Sequence, residues 1–150
     1  MAQDKFTQQA LAVLQEAQQL SALNYHQEVT TRHLLLALVK DGEGAIGHIL
    51  SQARVDPALL RAKLEQRLKN QPAVRGQEGS LRMNTAMIRV LGLAEKLAGE
   101  MKDEYVSTEH LLLAVVGDGD SDVVAICREF GLDRSTVRRI IDEYRRDRHI

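Results

Sequence analysis

The 150-residue sequence has no tryptophan, one cysteine and two prolines, and its only aromatic residues are two phenylalanines and three tyrosines. Each scarcity excludes something. Five rings leave little with which to stack on bases or sugars. The lone Cys127 rules out an internal disulfide and fits a reducing cytoplasm. Neither sign of charge is in excess: 20 Lys and Arg against 21 Asp and Glu give a net charge of −1, so no global field recruits nucleic acid or an anionic membrane. The longest strictly apolar run, Leu34 to Val39, is far too short to cross a bilayer. The opening Met1-Ala2-Gln3-Asp4-Lys5 lacks the basic-then-apolar pattern of a signal peptide. These features describe a soluble intracellular chain of one domain, or of two small halves sharing a core.

What the chain does have is itself, twice. Thr31-Arg32-His33-Leu34-Leu35-Leu36-Ala37 returns as Thr108-Glu109-His110-Leu111-Leu112-Leu113-Ala114, displaced by 77 positions. The same displacement pairs Val13, Leu14, Ala17 and Leu20 with Val90, Leu91, Ala94 and Leu97, and further along Ile49 with Ile126, Asp56 with Asp133 and Arg61 with Arg138. One ungapped register from end to end marks a duplicated unit of roughly seventy residues. Repeat one spans about 4–69 and repeat two about 81–148. The stretch 70–80 between them, with Pro72, Gly76 and Gly79 and no periodicity, reads as the linker.

Helical periodicity runs through both copies. Phe6, Ala10, Val13, Leu14, Ala17 and Leu20 form one stripe of an amphipathic helix, and Met83, Met87, Val90, Leu91, Ala94 and Leu97 repeat it. Thr30-Thr31 and Ser107-Thr108 supply hydroxyls that cap the next helices. Those helices, His33 to Val39 and His110 to Val116, are apolar nearly all round and belong at the centre of the fold. Asp41-Gly42-Glu43-Gly44 and Gly117-Asp118-Gly119-Asp120 break them. Third helices follow near 45–53 and 121–130, and fourth helices open at Asp56, with Pro57 in the first turn, and at Asp133. No strand-like alternation is visible. The expectation is an all-α fold of eight helices, as two pseudo-twofold-related sets of four.

The repeated Thr-x-His-Leu-Leu-Leu-Ala element resembles that of the N-terminal domain of Clp ATPases. Arg82-Met83 and the stretch Met101-Lys102-Asp103-Glu104-Tyr105-Val106-Ser107-Thr108-Glu109-His110 are most similar to ClpB-type disaggregases. The resemblance implies a docking domain ahead of the ATPase modules of a hexameric ring, with an indirect link to a DnaK-type chaperone system. It implies binding of exposed apolar segments of unfolded or aggregated polypeptide. The alternative is an adaptor-docking domain of a ClpC- or ClpA-like protease-associated unfoldase. No Gly-x-x-x-x-Gly-Lys-Ser/Thr loop occurs in the sequence, so the chain is not expected to be an ATPase, and no cofactor is implied.

The resemblance also points to residues. Thr7, Asp103 and Glu109 match family positions that border an apolar peptide groove. On residue type alone, Thr7 is a first-turn residue bonding locally, Asp103 a solvated loop acid and Glu109 an acid favoured by the helix dipole. Leu93 joins them from periodicity: it lies about 100° off its helix stripe, and its repeat partner is Glu16. ClpC-type domains that read phosphoarginine carry Glu before the His in both repeats. Arg32 replaces it in the first, which speaks against that ligand.

Three other motifs give way to simpler readings. Asp118, Asp120, Asp122 and Glu129 fit positions of a calcium loop, but Val123 stands where the loop needs Gly, and an acidic helix-capping turn accounts for them. Gly131 to Ile140, followed by Arg145, Arg146 and Arg148, resembles a DNA-recognition helix. Its copy at Arg54 to Arg61 merely starts a helix, so no nucleic-acid partner is expected. His33 and His110 have no Cys or carboxylate at metal-ligand spacing, so each is expected to serve a backbone group in the first turn of its helix. Cys127 is a buried small hydrophobe, and no catalytic group is assigned.

Overall fold

The computed structural model describes residues 3–42, 44–75 and 81–148. Glu43 of the first acidic turn, and Gly76 and Gly79 of the linker, lie outside them. Eight α-helices occur among the described residues: α1 (Gln8–Leu23), α2 (Thr31–Lys40), α3 (Gly44–Gln52), α4 (Pro57–Asn70), α5 (Thr85–Glu100), α6 (Thr108–Asp118), α7 (Ser121–Glu129) and α8 (Arg134–Arg148). The all-α expectation holds, with one addition. Two-residue strands β1 (Glu28–Val29) and β2 (Arg82–Met83) pair in parallel, and Phe6 bridges Val106 in the same sense. Segments this short carry no alternation, so periodicity cannot show them.

Helix ends repeat as the sequence does. Thr7 Oγ1 accepts from Ala10 N at 3.0 Å to open α1, and Asn84 Oδ1 accepts from Met87 N at 2.9 Å to open α5. Asp56 and Asp133 cap α4 and α8 through Ala58 N and Thr136 N. At the C-terminus of α1, His26 N reaches back to Ser21 O, and at that of α5, Asp103 N reaches back to Ala98 O. Val55 N to Leu50 O and Leu132 N to Cys127 O do the same for α3 and α7. This closure needs a left-handed residue. Tyr25 (φ 57°) and Lys102 (φ 60°) fill one equivalent pair, and Arg54 (φ 59°) and Gly131 (φ 77°) the other.

Only one of those four is glycine, and the copy shows what the others give up. Arg54 is exposed, so Arg54→Gly loses little contact while removing left-handed strain. A gain of about 0.5–1 kcal/mol is expected, read as a shift in denaturation midpoint. No gain would mean that the turn is not strained.

α2 and α6 form the centre. α6 packs on α1, α2, α3, α5, α7 and α8, and α2 on α1, α3, α4, α5, α6 and α7. Leu34 to Val39 and Leu111 to Val116 are all buried. The halves are joined where the start of α2 meets the start of α7. There Asp120 accepts from Thr31 N (3.1 Å), Thr31 Oγ1 and Asn84 Nδ2 (2.8 Å), while its own N–H donates to Thr31 Oγ1 at 2.8 Å. Gly119 permits this approach, since a Cβ there would stand 3.1 Å from Thr31 Oγ1.

The strand pairs are consistent with the repeat. Shifted by 77, Phe6 becomes Met83, and Val29 becomes Val106. The bridge Phe6–Val106 therefore corresponds to the pair Met83–Val29, with the halves exchanging roles. The backbone bonds agree: Thr7 N donates to Val106 O at 3.0 Å, and Asn84 N to Val29 O at 3.1 Å. Each half thus gives its first segment to the other half's third, which is the exchange expected of a twofold rotation.

Candidate functional site

The two first-turn histidines do the expected backbone work. Thr30 N–H donates to His33 Nδ1, and Ser107 N–H to His110 Nδ1, each at 2.9 Å. A ring nitrogen that accepts carries no proton, so in each neutral imidazole the proton sits on Nε2. The halves then diverge. His33 Nε2 donates to His26 Nδ1 at 2.8 Å, whereas His110 Nε2 donates to Asp103 Oδ2 at 2.7 Å. His26 and Asp103 are repeat partners. Both rings of the first pair are buried, and His33 is pushed down to about 3, by burial first and then by His26 and Arg32. Burial also lowers His26, against hydrogen bonds to the backbone of Leu68 and Gln71.

Asp103 is not a solvated loop acid. Arg145 of α8 reaches it through Nη1 at 2.9 Å, and reaches Glu109 Oε2 through Nη2 at 3.0 Å. Burial works against the Arg145 charge, but the carboxylates of Asp103 and Glu109 outweigh it and raise the guanidinium above its ordinary value. Asp103 and Glu109 are therefore brought together, clamped to α8 and to His110. Thr7 caps α1, and its N–H holds Val106, so the start of α1 does meet the 101–110 segment. Leu93 is half-buried against the core.

None of these four lines the groove beside α1 and α5. That groove has a volume of about 480 Å³ and is walled by Phe6, Leu11, Leu14, Gln15, Gln18, Val29, Met83, Met87 and Leu91. Phe6, Val29, Met87 and Leu91 are buried and form its floor, whereas Met83 is 39% exposed at the edge. Gln15 and Gln18 are exposed, and no lining side chain is charged. Sequence reading assigned most of these apolar residues to the core stripes of the first and fifth helices. A signal was available: Leu11 and its repeat partner Ile88 widen both stripes beyond what one packed face needs, and Ile88 is 58% exposed.

The other motifs resolve into pairing. Asp118 binds Arg134 at 2.6 Å, and Asp122 binds Arg32 at 2.8 Å. On α8, Arg138 pairs with Asp142 and Arg139 with Glu143, each one turn on. Burial pushes the Cys127 thiol up to about 12 and leaves it unreactive. No described helix is long and apolar enough to cross a membrane.

Residues 5–130 match the family described as the Clp repeat (R) N-terminal domain. The chain belongs to this family. The chaperone protein ClpB of Nitratidesulfovibrio vulgaris is 33% identical over 145 residues, covering 94% of this chain and 17% of that protein. The chain thus spans about a sixth of the length of the curated relatives it matches. The crystal structure of the Hsp104 N-terminal domain from Candida albicans superposes with a TM-score of 0.83 at 23% identity, covering 94% of this chain and 91% of that one. A ClpV N-domain in complex with a VipB peptide superposes at 0.69 with 18% identity, over 89% and 82% of the two chains.

Proposed function

We propose that this Clp N-terminal domain serves a ClpB-like disaggregase by holding exposed apolar segments of unfolded or aggregated polypeptide in the groove beside α1 and α5. The observation that carries this reading is the lining: seven apolar side chains, two amides and no charge. A charged group placed there would lose hydration and gain no partner, so the trough selects apolar side chains. Met83 and Met87 are unbranched and adapt to side chains of differing shape, which suits a client set with no common sequence. The peptide complex of the ClpV N-domain supports a peptide-holding role for this fold.

Each Leu or Phe buried there contributes about 1.5–3 kcal/mol. Two or three such anchors, less the cost of ordering a flexible chain, leave roughly micromolar-to-millimolar affinity. Weak binding suits a hand-off site, and ATPase modules of a parent hexamer would raise it by multivalency. In this reading Thr7 acts indirectly, by fixing Phe6 against Val106. Asp103 and Glu109 hold α8 through Arg145, and Leu93 supports α5 from its packed side. An adaptor would present a folded surface, and an uncharged apolar trough suits a flexible chain better.

Leu11→Gln and Met83→Gln test the groove. Both side chains are partly exposed, so melting should change little. Binding of a reduced, carboxymethylated model protein should weaken about five- to tenfold in each, as loss of part of one apolar anchor requires. Unchanged binding in both variants, with chemical-shift changes centred on Asp103, Glu109 and Arg145, would move the site to the acidic cluster and defeat the proposal.

A further inference from the structure

We infer that the groove has no chain direction: an apolar polypeptide segment seats in it both ways round, in similar proportions. This rests on the reading of the groove as the client site. It follows from the groove's position on the symmetry axis. The 77-residue shift carries Phe6 to Met83 and Leu14 to Leu91, and all four side chains line the groove. The midpoint of any pair related by a twofold rotation lies on the axis, so the axis passes through the trough.

At a surface site that axis must run along the outward normal, because the rotation returns interior to interior and solvent to solvent. Turning an extended segment by half a revolution about this normal keeps it in the trough and exchanges its N- and C-terminal ends. Two anchors met in one direction are then met again at their equivalents, with Phe6 answered by Met83 and Leu14 by Leu91. The backbone beneath answers as well, since Thr7 N to Val106 O corresponds to Asn84 N to Val29 O.

The lining contains no charge, which removes the strongest cue by which a site can sense the ends of a chain. The occupant is for the same reason an uncharged apolar stretch. The other five lining residues have equivalents outside the lining. Leu11 is answered by Ile88, also apolar, and Met87 by Ala10. Val29 is answered by Val106, and the exposed amides Gln15 and Gln18 are answered by Gly92 and Glu95.

The test uses one apolar peptide with an asymmetric sequence, acetylated and amidated so that neither end is charged. One sample carries a nitroxide label on its first residue, a second carries it on its last, and broadening of the protein's amide signals is mapped for each. Both labels should give the same map. The equivalent pairs Leu14 with Leu91, and Gln18 with Glu95, should broaden to within about twofold of each other, as two poses of near-equal population require. If the first label broadens one member of each pair and the last label the other, the segment has a single direction. That result overturns the inference and leaves the groove reading intact. If neither label broadens the groove, the groove reading fails, and the inference fails with it.

Discussion

Leu112→Ala is expected to lower the unfolding free energy by about 2–5 kcal/mol. Leu112 is fully buried in α6, the helix that packs on six others, so the vacated space is walled by several rigid elements. Collapse around the void would require them to move together. The cost therefore combines the lost transfer energy of the side chain with a cavity term. Leu35→Ala in α2 should behave alike, because Leu35 is the repeat partner and equally buried. Each kcal/mol corresponds to roughly 2–4 °C in melting temperature at this chain length. The control is Leu23→Ala, at a side chain that is 76% exposed, where a change within about 0.5 kcal/mol is expected. Melting of Leu112→Ala that matched this control would mean that α6 does not occupy the centre.

Acid should destabilise the protein through the first half. His33 is pushed down to about 3 in the folded chain, chiefly by burial, whereas an unfolded chain protonates it near 6.5. Above that value both states hold a neutral ring, and the stability is fully present. As pH falls below it, the unfolded state takes up a proton that the folded state refuses. Stability is then lost progressively until pH passes the folded value. The loss from His33 alone amounts to about 2 kcal/mol at pH 5 and about 4 kcal/mol at pH 3.5. His26, also lowered by its burial, acts in the same direction. Denaturant midpoints measured from pH 7 to pH 4 should show this slope, and His33→Gln should flatten it. A wild-type slope that survives in His33→Gln would place the acid-sensitive group elsewhere.

The sequence exposed the helices and the centre of the fold because the chain is read twice. Leu34 to Leu36 and Leu111 to Leu113 sit in apolar surroundings in both copies, so burial could be read without tertiary information. The caps at Thr30 and Asp56 were legible because they act within three residues of themselves. Interactions between distant positions were not. Arg145 reaches Glu109 across 36 positions and Asp103 across 42, and no spacing rule connects them. The His26–His33 pair was missed because its counterpart is a carboxylate, so the repeat offered no second histidine to draw the eye. The groove was hidden for another reason. Phe6, Leu14 and Leu91 follow the periodicity of core residues, and only the spacing between helices decides that they face an opening.

The bridge between Phe6 and Val106 also orders events in time. Its two residues are 100 positions apart, and the bonds that flank it, Thr7 N to Val106 O and Val106 N to Lys5 O, tie the beginning of the chain to the segment that leads into α6. Such long-range closure comes after local helix formation, because the loop entropy must be overcome before the contact is made. On the ribosome, Phe6 has no bridging partner until the chain has emerged as far as Val106, beyond the whole of the first repeat. Phe6 is part of the groove floor, so the trough takes shape only after the segment that holds Val106 has arrived. The first repeat by itself lacks Met83, Met87 and Leu91, so the apolar trough belongs to neither half alone.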